Sequence, residues 1–544
     1  MKLKQAILLL TLLSVGLVSC KKKVDPTPEP DTNRANLTRD SIFLYAKQIY
    51  LWSDALPSQD AFNPRKYTTE STDFLNYEKE LIALAQYKIN PATGLPYEYY
   101  QYLVNGVNVI DSKYSYISDI ANKNPTAFIP EKKSVVDLEG NGNDFGLKLG
   151  AYGQGGTTFA LFVTGVFQNS PADKAGVVRS DRIYKLNGRN IGDNSNTDLP
   201  IINTALSGSS PITIEGVHYT DGLSGAPFTY TLNKASYKSS PVFAKKVFTA
   251  GAKKIGYLAY ARFSNLSTNS KADFDLAFSE FSAAGVSDLI IDLRYNGGGY
   301  VNTAQYLINQ IAPASANGKV MFAEYYNPLM QANGATILAN QPLLDANKKV
   351  QYQNGKMITY ADVNYSVASN TELFVKAGPL NNDNKISNVI FIVTGNTASA
   401  SELVINCLKP YMNVKVVGTK TYGKPVGFFP ITIENKYEVY YSLFQTKNAL
   451  GQGDYFDGMQ PDVVFTDAIR GDLDDPRNNF GDPNEYYTSV ALNQIAPGAV
   501  VSSAAKTMSI QGRNVSIESL QPMKPIGSGN EFVGMIETRH KLKK

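Results

Sequence analysis

Val389-Ile-Phe-Ile-Val-Thr-Gly-Asn-Thr-Ala-Ser-Ala-Ser-Glu-Leu-Val-Ile-Asn-Cys-Leu-Lys-Pro-Tyr411 decides the fold. Val389 to Val393 is an unbroken apolar run, which reads as a strand buried on both faces. A polar turn follows, and Ala398 to Tyr411 reads as a helix. Val414-Lys-Val-Val-Gly418 is a second strand. Further out, Asp288-Leu-Ile-Ile-Asp292 is another strand, followed by a glycine turn and a helix from about Val301 to Ile311. Strands alternating with helices over residues 236–495 predict an α/β core with a largely parallel sheet and right-handed crossovers. Functional sites in such sheets collect at the C-terminal ends of the strands.

The 544 residues are too many for one ordinary domain, and roughly 150 residues per domain gives about three or four. A hydrophobic fraction of 43% is that of a chain with real cores. The net charge of +4 is nearly balanced and no basic stripe stands out, so no nucleic-acid partner is expected. Only two histidines (His218, His540) and two cysteines (Cys20, Cys407) occur. So few scattered ligands make no typical zinc site. A Ser-His-Asp triad would have to use His218, because His540 lies in a basic tail. A hydrolase built on this sequence is therefore expected to use a base other than histidine.

Met1 to Val18 reads as a secretory leader, with Lys2 and Lys4 ahead of the short apolar run Ala6 to Val18. The run is shorter than the ~20 residues that span a bilayer. Leu17-Val18-Ser19-Cys20 resembles the lipobox of bacterial lipoproteins, which implies lipidation of Cys20, and residues 21–35 are polar and Pro-rich like a tether. An extracytoplasmic, membrane-anchored protein is expected, in the periplasm or at the outer membrane. With Cys20 lipidated, Cys407 has no cysteine to pair with.

Residues 36–130 read as a small Tyr-rich helical domain that puts Phe43, Ile49 and Trp52 near one face. A packing cap without chemistry is expected there. Over residues 131–235, strand signals precede Ser170-Pro-Ala-Asp-Lys-Ala-Gly-Val-Val-Arg-Ser-Asp-Arg-Ile-Tyr-Lys-Leu-Asn-Gly188. This resembles the signature of PDZ domains. Pro171 opens a short helix, Gly176 closes it, and Asn187-Gly188 makes a tight turn. Ser180 stands where a glycine is usual. PDZ domains bind a peptide by adding it to a sheet edge, and Phe145-Gly146-Leu147 matches the loop whose N–H groups hold a peptide carboxylate. Residues 496–544 read as a polar extension with little core.

Three motifs carry chemistry. Asp292-Leu-Arg-Tyr-Asn-Gly-Gly-Gly299 ends a strand, and its glycines let backbone approach a ligand closely. Thr397-Ala-Ser-Ala-Ser-Glu402 places a serine at a helix start; Glu402, three residues after Ser399, is explained by a capping box. Gly418-Thr-Lys-Thr-Tyr-Gly-Lys424 approaches a phosphate-binding loop. Pro425 replaces its Ser/Thr, however, and no helix start follows, so that reading fails. Ser503-Ala-Ala-Lys506 is taken as a chance match, and no G-x-S-x-G elbow occurs.

Together the motifs resemble the carboxyl-terminal processing proteases (tail-specific, S41-type serine peptidases) over residues 36–495. Tyr50-Leu-Trp-Ser-Asp-Ala-Leu-Pro57 resembles the lipoprotein members of Bacteroidetes-type bacteria. Gly453-Asp-Tyr-Phe-Asp-Gly-Met-Gln-Pro-Asp-Val463 resembles the closing motif of the family. The resemblance implies a ClpP/crotonase-like catalytic core that cleaves peptide bonds in extracytoplasmic proteins without a metal or cofactor. Ser399 would be the nucleophile. Lys424, 25 residues later, would be the base. The N–H groups of Ala400 and of Gly298 or Gly299 would stabilise the oxyanion. Some members carry a glutamine four residues after the lysine. Phe428 stands there, so a Ser-Lys dyad is expected rather than a triad. The alternatives are an inactive peptide-binding lipoprotein on a peptidase scaffold and, more weakly, a glycan-binding protein. The 34 Tyr and one Trp are spread as general packing would spread them.

Overall fold

A computed structural model describes residues 33–104, 107–121, 136–153, 155–208, 211–220, 223–345, 348–380, 386, 388–465, 476–498, 507–510, 513–516, 521–522, 526 and 533–543. The expected leader, Cys20 and the Ser503–Lys506 match lie outside these residues. Of the expected tether at 21–35 only the end is described, and it is already structured: Asn33 caps a helix that runs Arg34–Ile49.

The central sheet has six strands in the order Val242–Ala250, Lys253–Tyr260, Asp288–Asp292, Asn388–Val393, Asn413–Gly418, Val463–Val464. The first pair is antiparallel and all the others are parallel. Both faces are covered, which is why the strands read as apolar runs without alternation. Leu289, Ile291, Val389, Phe391 and Val393 pack into one core with the helices Lys271–Ala283, Val301–Ile311 and Ala400–Leu408. Ile290, Ile390, Ile392 and Val417 pack on the other side with Tyr487 and Leu492 of the helix Tyr486–Ile495.

A buried ion triad fastens that second helix to the sheet. Arg294 meets Asp292 at 2.6 Å and Glu485 at 2.7 Å, and its guanidinium lies 4.4 Å from the Tyr487 ring centre. Glu485 is also the cap of the helix, accepting the Thr488 N–H at 2.8 Å. The arginine of the glycine motif is thus a fastening between sheet and helix.

The region expected over residues 36–130 as a small helical packing cap carries strands as well as helices among its described residues. After the helices Arg34–Ile49 and Asp73–Ala85 come a hairpin, Tyr99–Val104 with Val107–Ser112, and the strand Tyr116–Asp119. That strand pairs with Tyr437–Tyr440 of the core. Ile42, Phe43, Phe62 and Leu81 share one apolar cluster with Phe428, Phe429, Val439 and Leu443. Trp52 lies beyond the helix and stacks on Tyr97 at 4.8 Å. Alternation in Tyr437–Tyr440 gives one face to this cluster, so the helices Arg34–Ile49 and Asp73–Ala85 share one core with the strands around Phe428–Phe444.

Residues 147–232 build an antiparallel module. Its strands run in the order Leu223–Leu232, Ile212–Thr220, Arg182–Leu186, Phe159–Val166, Leu147–Gly153, with the helices Pro171–Ala175 and Ser195–Ser207. The local signals hold. Ser170 caps the Asp173 N–H, Pro171 opens the short helix and Gly176 ends it at φ +88°. Ser180 adopts φ +88°, the conformation that explains the glycine usual at its position.

Among the described residues after 496, two short stretches pair with the rest of the fold. Gln521–Pro522 pairs with Tyr152 and Gly153. Gly534–Ile536 pairs with Gly298–Tyr300, and Met535 is fully buried. Among the described residues no helix is long and apolar enough to cross a membrane.

Removing one member of a buried ion triad strands the others in a low-dielectric interior. Arg294→Ala is therefore expected to lower stability by about 3–5 kcal/mol, read as a shift of the urea unfolding midpoint. An unchanged midpoint would refute the fastening role.

Candidate active site

Ser399 sits where the strand Asn388–Val393 hands over to the helix Ala400–Leu408. Its φ of +59° and ψ of −110° are sparsely populated for a residue with a side chain. Such a conformation costs on the order of 1–3 kcal/mol and persists only when its surroundings impose it. Here they do. The Asn296 carbonyl accepts from the Ala398 N–H at 3.1 Å and from the Ser401 hydroxyl at 2.9 Å. The Thr394 and Thr397 hydroxyls donate to the Arg294 and Leu293 carbonyls at 2.6 and 2.8 Å. The glycine motif and the serine turn are laced together before any substrate arrives.

Asn296 also shapes the glycines. Its Oδ1 accepts the Gly298 N–H at 2.9 Å and its Nδ2 donates to the Tyr260 carbonyl at 3.0 Å. Gly298 has φ +111°, and a Cβ there would stand 2.2 Å from the Gly534 carbonyl oxygen and 3.1 Å from both the Ala400 nitrogen and the Ser399 Cβ. Only glycine lets this loop press against the serine turn. The Gly298 N–H is engaged by Asn296, whereas the Ala400 N–H is a first-turn amide, a position that has no acceptor within its own helix.

Lys424 lies on the turn after the strand Asn413–Gly418, ahead of the short strand Val426–Gly427. A strand follows where a phosphate-binding loop would have a helix. The side chain is buried, with Nζ 4.7 Å from the centre of the Phe428 ring. Nζ donates to the carbonyls of Tyr114 at 3.3 Å and Val533 at 3.1 Å. Burial pulls its pKa down to about 7, against the opposing charges of Glu98 and Glu402; nearby Lys113 adds to the lowering. Phe428 contributes apolar surface in the place where a glutamine was looked for.

Glu402 joins the two halves. One oxygen accepts the N–H of Ser399 and that of Lys424, each at 2.8 Å. The other accepts the Gly423 N–H at 2.8 Å and the Thr421 hydroxyl. Burial pushes its carboxyl up, and these donors hold it down. Because every partner donates, the group is bound as a carboxylate. The capping box anticipated from the sequence is therefore only part of its task. Ser399 Oγ is buried and makes no hydrogen bond to Lys424 Nζ.

Sequence reading missed three contributors. Tyr114, from the segment expected to lack chemistry, lends its carbonyl to Lys424 and donates its hydroxyl to the Gly423 carbonyl at 2.6 Å. Buried Glu98 fixes that turn by accepting from the Ser115 N–H and hydroxyl and from the Ser442 hydroxyl. Val533 comes from the trailing segment. A run of scattered tyrosines and serines gave no periodic signal for any of them. Phe145, Gly146 and Leu147 lie on the antiparallel module, where the Gly146 N–H donates to Asp144 at 2.7 Å. His218 pairs with Asp181 at 2.6 Å in the same module, and His540 packs on the rings of Tyr360 and Phe429. Cys407 is buried on the helix that Ser399 starts. No group of three or more His, Cys, Asp or Glu converges to hold a metal among the described residues.

A serine at a strained strand-to-helix turn, laced to a glycine loop and to a buried lysine turn, sits on a parallel sheet covered on both faces. Residues 254–465 match the profile of Peptidase family S41, so the chain carries a domain of that family of serine-type peptidases. The chain is 26% identical over 261 residues to a chloroplastic C-terminal processing peptidase of Tetradesmus obliquus, covering 47% of this chain and 46% of that protein. It is 22% identical over 306 residues to the carboxy-terminal processing protease CtpB of Bacillus subtilis, covering 56% and 52%. The chain thus spans about half the length of the curated relatives it matches. A solved structure of an S41 protease from Bacteroides fragilis has the same fold, with a TM-score of 0.51, 21% identity, and coverage of 84% of this chain and 96% of that one.

Replacing an acceptor-only carboxylate by an amide turns an NH₂ group toward N–H donors. Glu402→Gln is expected to lower stability by about 1.5–3 kcal/mol, measured by thermal unfolding. A change within error would show that the bridge carries no weight.

Proposed function

We propose that this chain is a serine endopeptidase that uses Ser399 and Lys424 as a dyad. The carrying observation is the buried Lys424, drawn down to about 7 and tied through one Glu402 oxygen to the backbone of Ser399. A lysine with its usual pKa near 10.4 would be a cation at neutral pH and could take no proton. This one is half neutral there. Neutral Lys424 takes the Ser399 hydroxyl proton while Oγ attacks the peptide carbonyl carbon. The Ala400 N–H stabilises the oxyanion, and Gly298 or Gly299 supplies the second donor once substrate displaces its present contacts. A donor of this kind is worth about 2.7–4 kcal/mol in the transition state. The C–N bond then breaks, and the proton on Lys424 passes to the leaving amine. Water, deprotonated by Lys424, releases the acyl group and regenerates Ser399. The absence of an Oγ–Nζ bond at rest fits a site whose contacts tighten only with substrate.

The antiparallel module is read as a PDZ domain that receives an extended polypeptide along its edge strand. The substrates are proteins or peptides outside the cytoplasm, and lipidated Cys20 holds the enzyme at a membrane. A peptide-binding scaffold without activity is the second reading, favoured by Phe428 standing where a third, orienting residue would be.

A fluorophosphonate probe separates the two. Labelling is expected, and Ser399→Ala should abolish it. Lys424→Arg should also abolish it, because arginine stays protonated. A folded protein that never labels would refute the enzyme. The pH profile checks the base. Lys424 must lose its proton to act, so kcat/KM should fall about tenfold per unit below pH ~6 and level off above pH ~8. A rate still climbing at pH 10 would mean that the base is not a lysine of depressed pKa.

A further inference from the structure

The segment after residue 496 occupies two places where an incoming polypeptide would lie. Leu147–Gly153 is the edge strand of the module's sheet, and Gln521–Pro522 adds to it antiparallel. Gln521 pairs opposite Gly153 and Pro522 opposite Tyr152, a register whose direction points toward Leu147. Addition of a strand to an exposed edge is a general mode of peptide recognition. Ile526 is 8% exposed and joins the apolar cluster of Phe145, Leu147, Leu199 and Ile202. The turn ahead is already filled by a carboxylate, because the Gly146 N–H donates to Asp144 at 2.7 Å. A free chain end arriving there would meet a like charge. The groove therefore suits an internal segment with an aliphatic side chain.

Seven residues after Ile526, the same segment enters the catalytic centre. The Val533 carbonyl accepts from Lys424 Nζ at 3.1 Å. The Gly534 N–H donates to the Gly297 carbonyl, and the Phe428 N–H to the Met535 carbonyl, each at 3.0 Å. The segment lies between the glycine loop and the strand that follows Lys424.

We propose that Gln521, Pro522 and Ile526 of the chain itself are the resident ligand of the groove beside Leu147–Gly153. It competes there with incoming internal polypeptide segments. The inference rests on the peptide-binding reading of the module and not on Ser399 being active. Displacement of the segment would also loosen its contact with Lys424, which couples groove occupancy to the base.

The test uses the full chain carrying Ser399→Ala, so that nothing is cleaved. The probe is a fluorescein-labelled, C-terminally amidated peptide of residues 519–527, Ser-Leu-Gln-Pro-Met-Lys-Pro-Ile-Gly. Fluorescence anisotropy reads its binding. A resident ligand reduces apparent affinity by the fraction of grooves left open. Adding Ile526→Asp should therefore tighten probe binding by about tenfold or more. Equal affinity with and without Ile526→Asp, or no binding to either, overturns the proposal. A second variant guards against misfolding. Tyr152→Cys with Pro522→Cys places two thiols at directly opposed antiparallel positions, a spacing a disulfide can bridge. Oxidation should abolish probe binding and reduction should restore it. Binding that survives oxidation overturns the proposal. A failed peptidase reading would show separately, as missing fluorophosphonate labelling in the chain with native Ser399.

Discussion

One buried carboxylate ties the serine turn to the lysine turn. Glu402 takes up the amides of two turns that come from different strands, and the serine and lysine turns keep their spacing because both hang from it. A neutral side chain of the same size would leave backbone donors without acceptors in a dry interior, where each such loss is expensive. The strain at Ser399 depends on the same bridge. An unfavourable φ is tolerated because the helix it starts, the glycine loop and Glu402 all fix the residue from different sides.

The low pKa of Lys424 is a property of assembly more than of its own turn. Tyr114 comes from the first quarter of the chain, Phe428 from the strand that follows, and Val533 from the trailing segment. Together they take water away from the ammonium group, and desolvation disfavours its charge. Glu98 and Glu402 are near enough to restrain that shift without cancelling it. The site is thus tuned by a balance of burial against two negative charges.

Much of this was legible in the sequence. The run Val389–Val393 and the segment Asp288–Asp292 announced buried strands, because a sheet covered on both faces demands apolar residues at consecutive positions. The helix Val301–Ile311 was read at its observed ends. The turn chemistry of Ser170, Pro171 and Gly176 followed from local rules. What escaped reading has a common cause. Gly534–Ile536 and Tyr116–Asp119 are three and four residues long, too short for any period to show. Their partners, Gly298–Tyr300 and Tyr437–Tyr440, lie hundreds of positions away. Composition marked residues 496–544 as polar and therefore peripheral, but a strand shielded by its neighbours needs few apolar side chains of its own. The part played by Tyr114 was hidden for another reason: its backbone carbonyl does the work, and a carbonyl has no signature in a sequence.

The placement of Val533 has a consequence for how the molecule comes into being. Synthesis is vectorial, and residues 533–537 emerge long after Ser399 and Lys424. Until then the lysine turn has lost one carbonyl partner, the glycine loop has an unpaired edge, and more water reaches the ammonium group. A nascent chain therefore carries Ser399 and Lys424 before it carries all the surroundings that draw the lysine's pKa down. The late strand completes the surroundings of Lys424 only after the elements that carry Ser399 and Lys424 have been made, and contacts across so large a sequence separation tend to form late in folding.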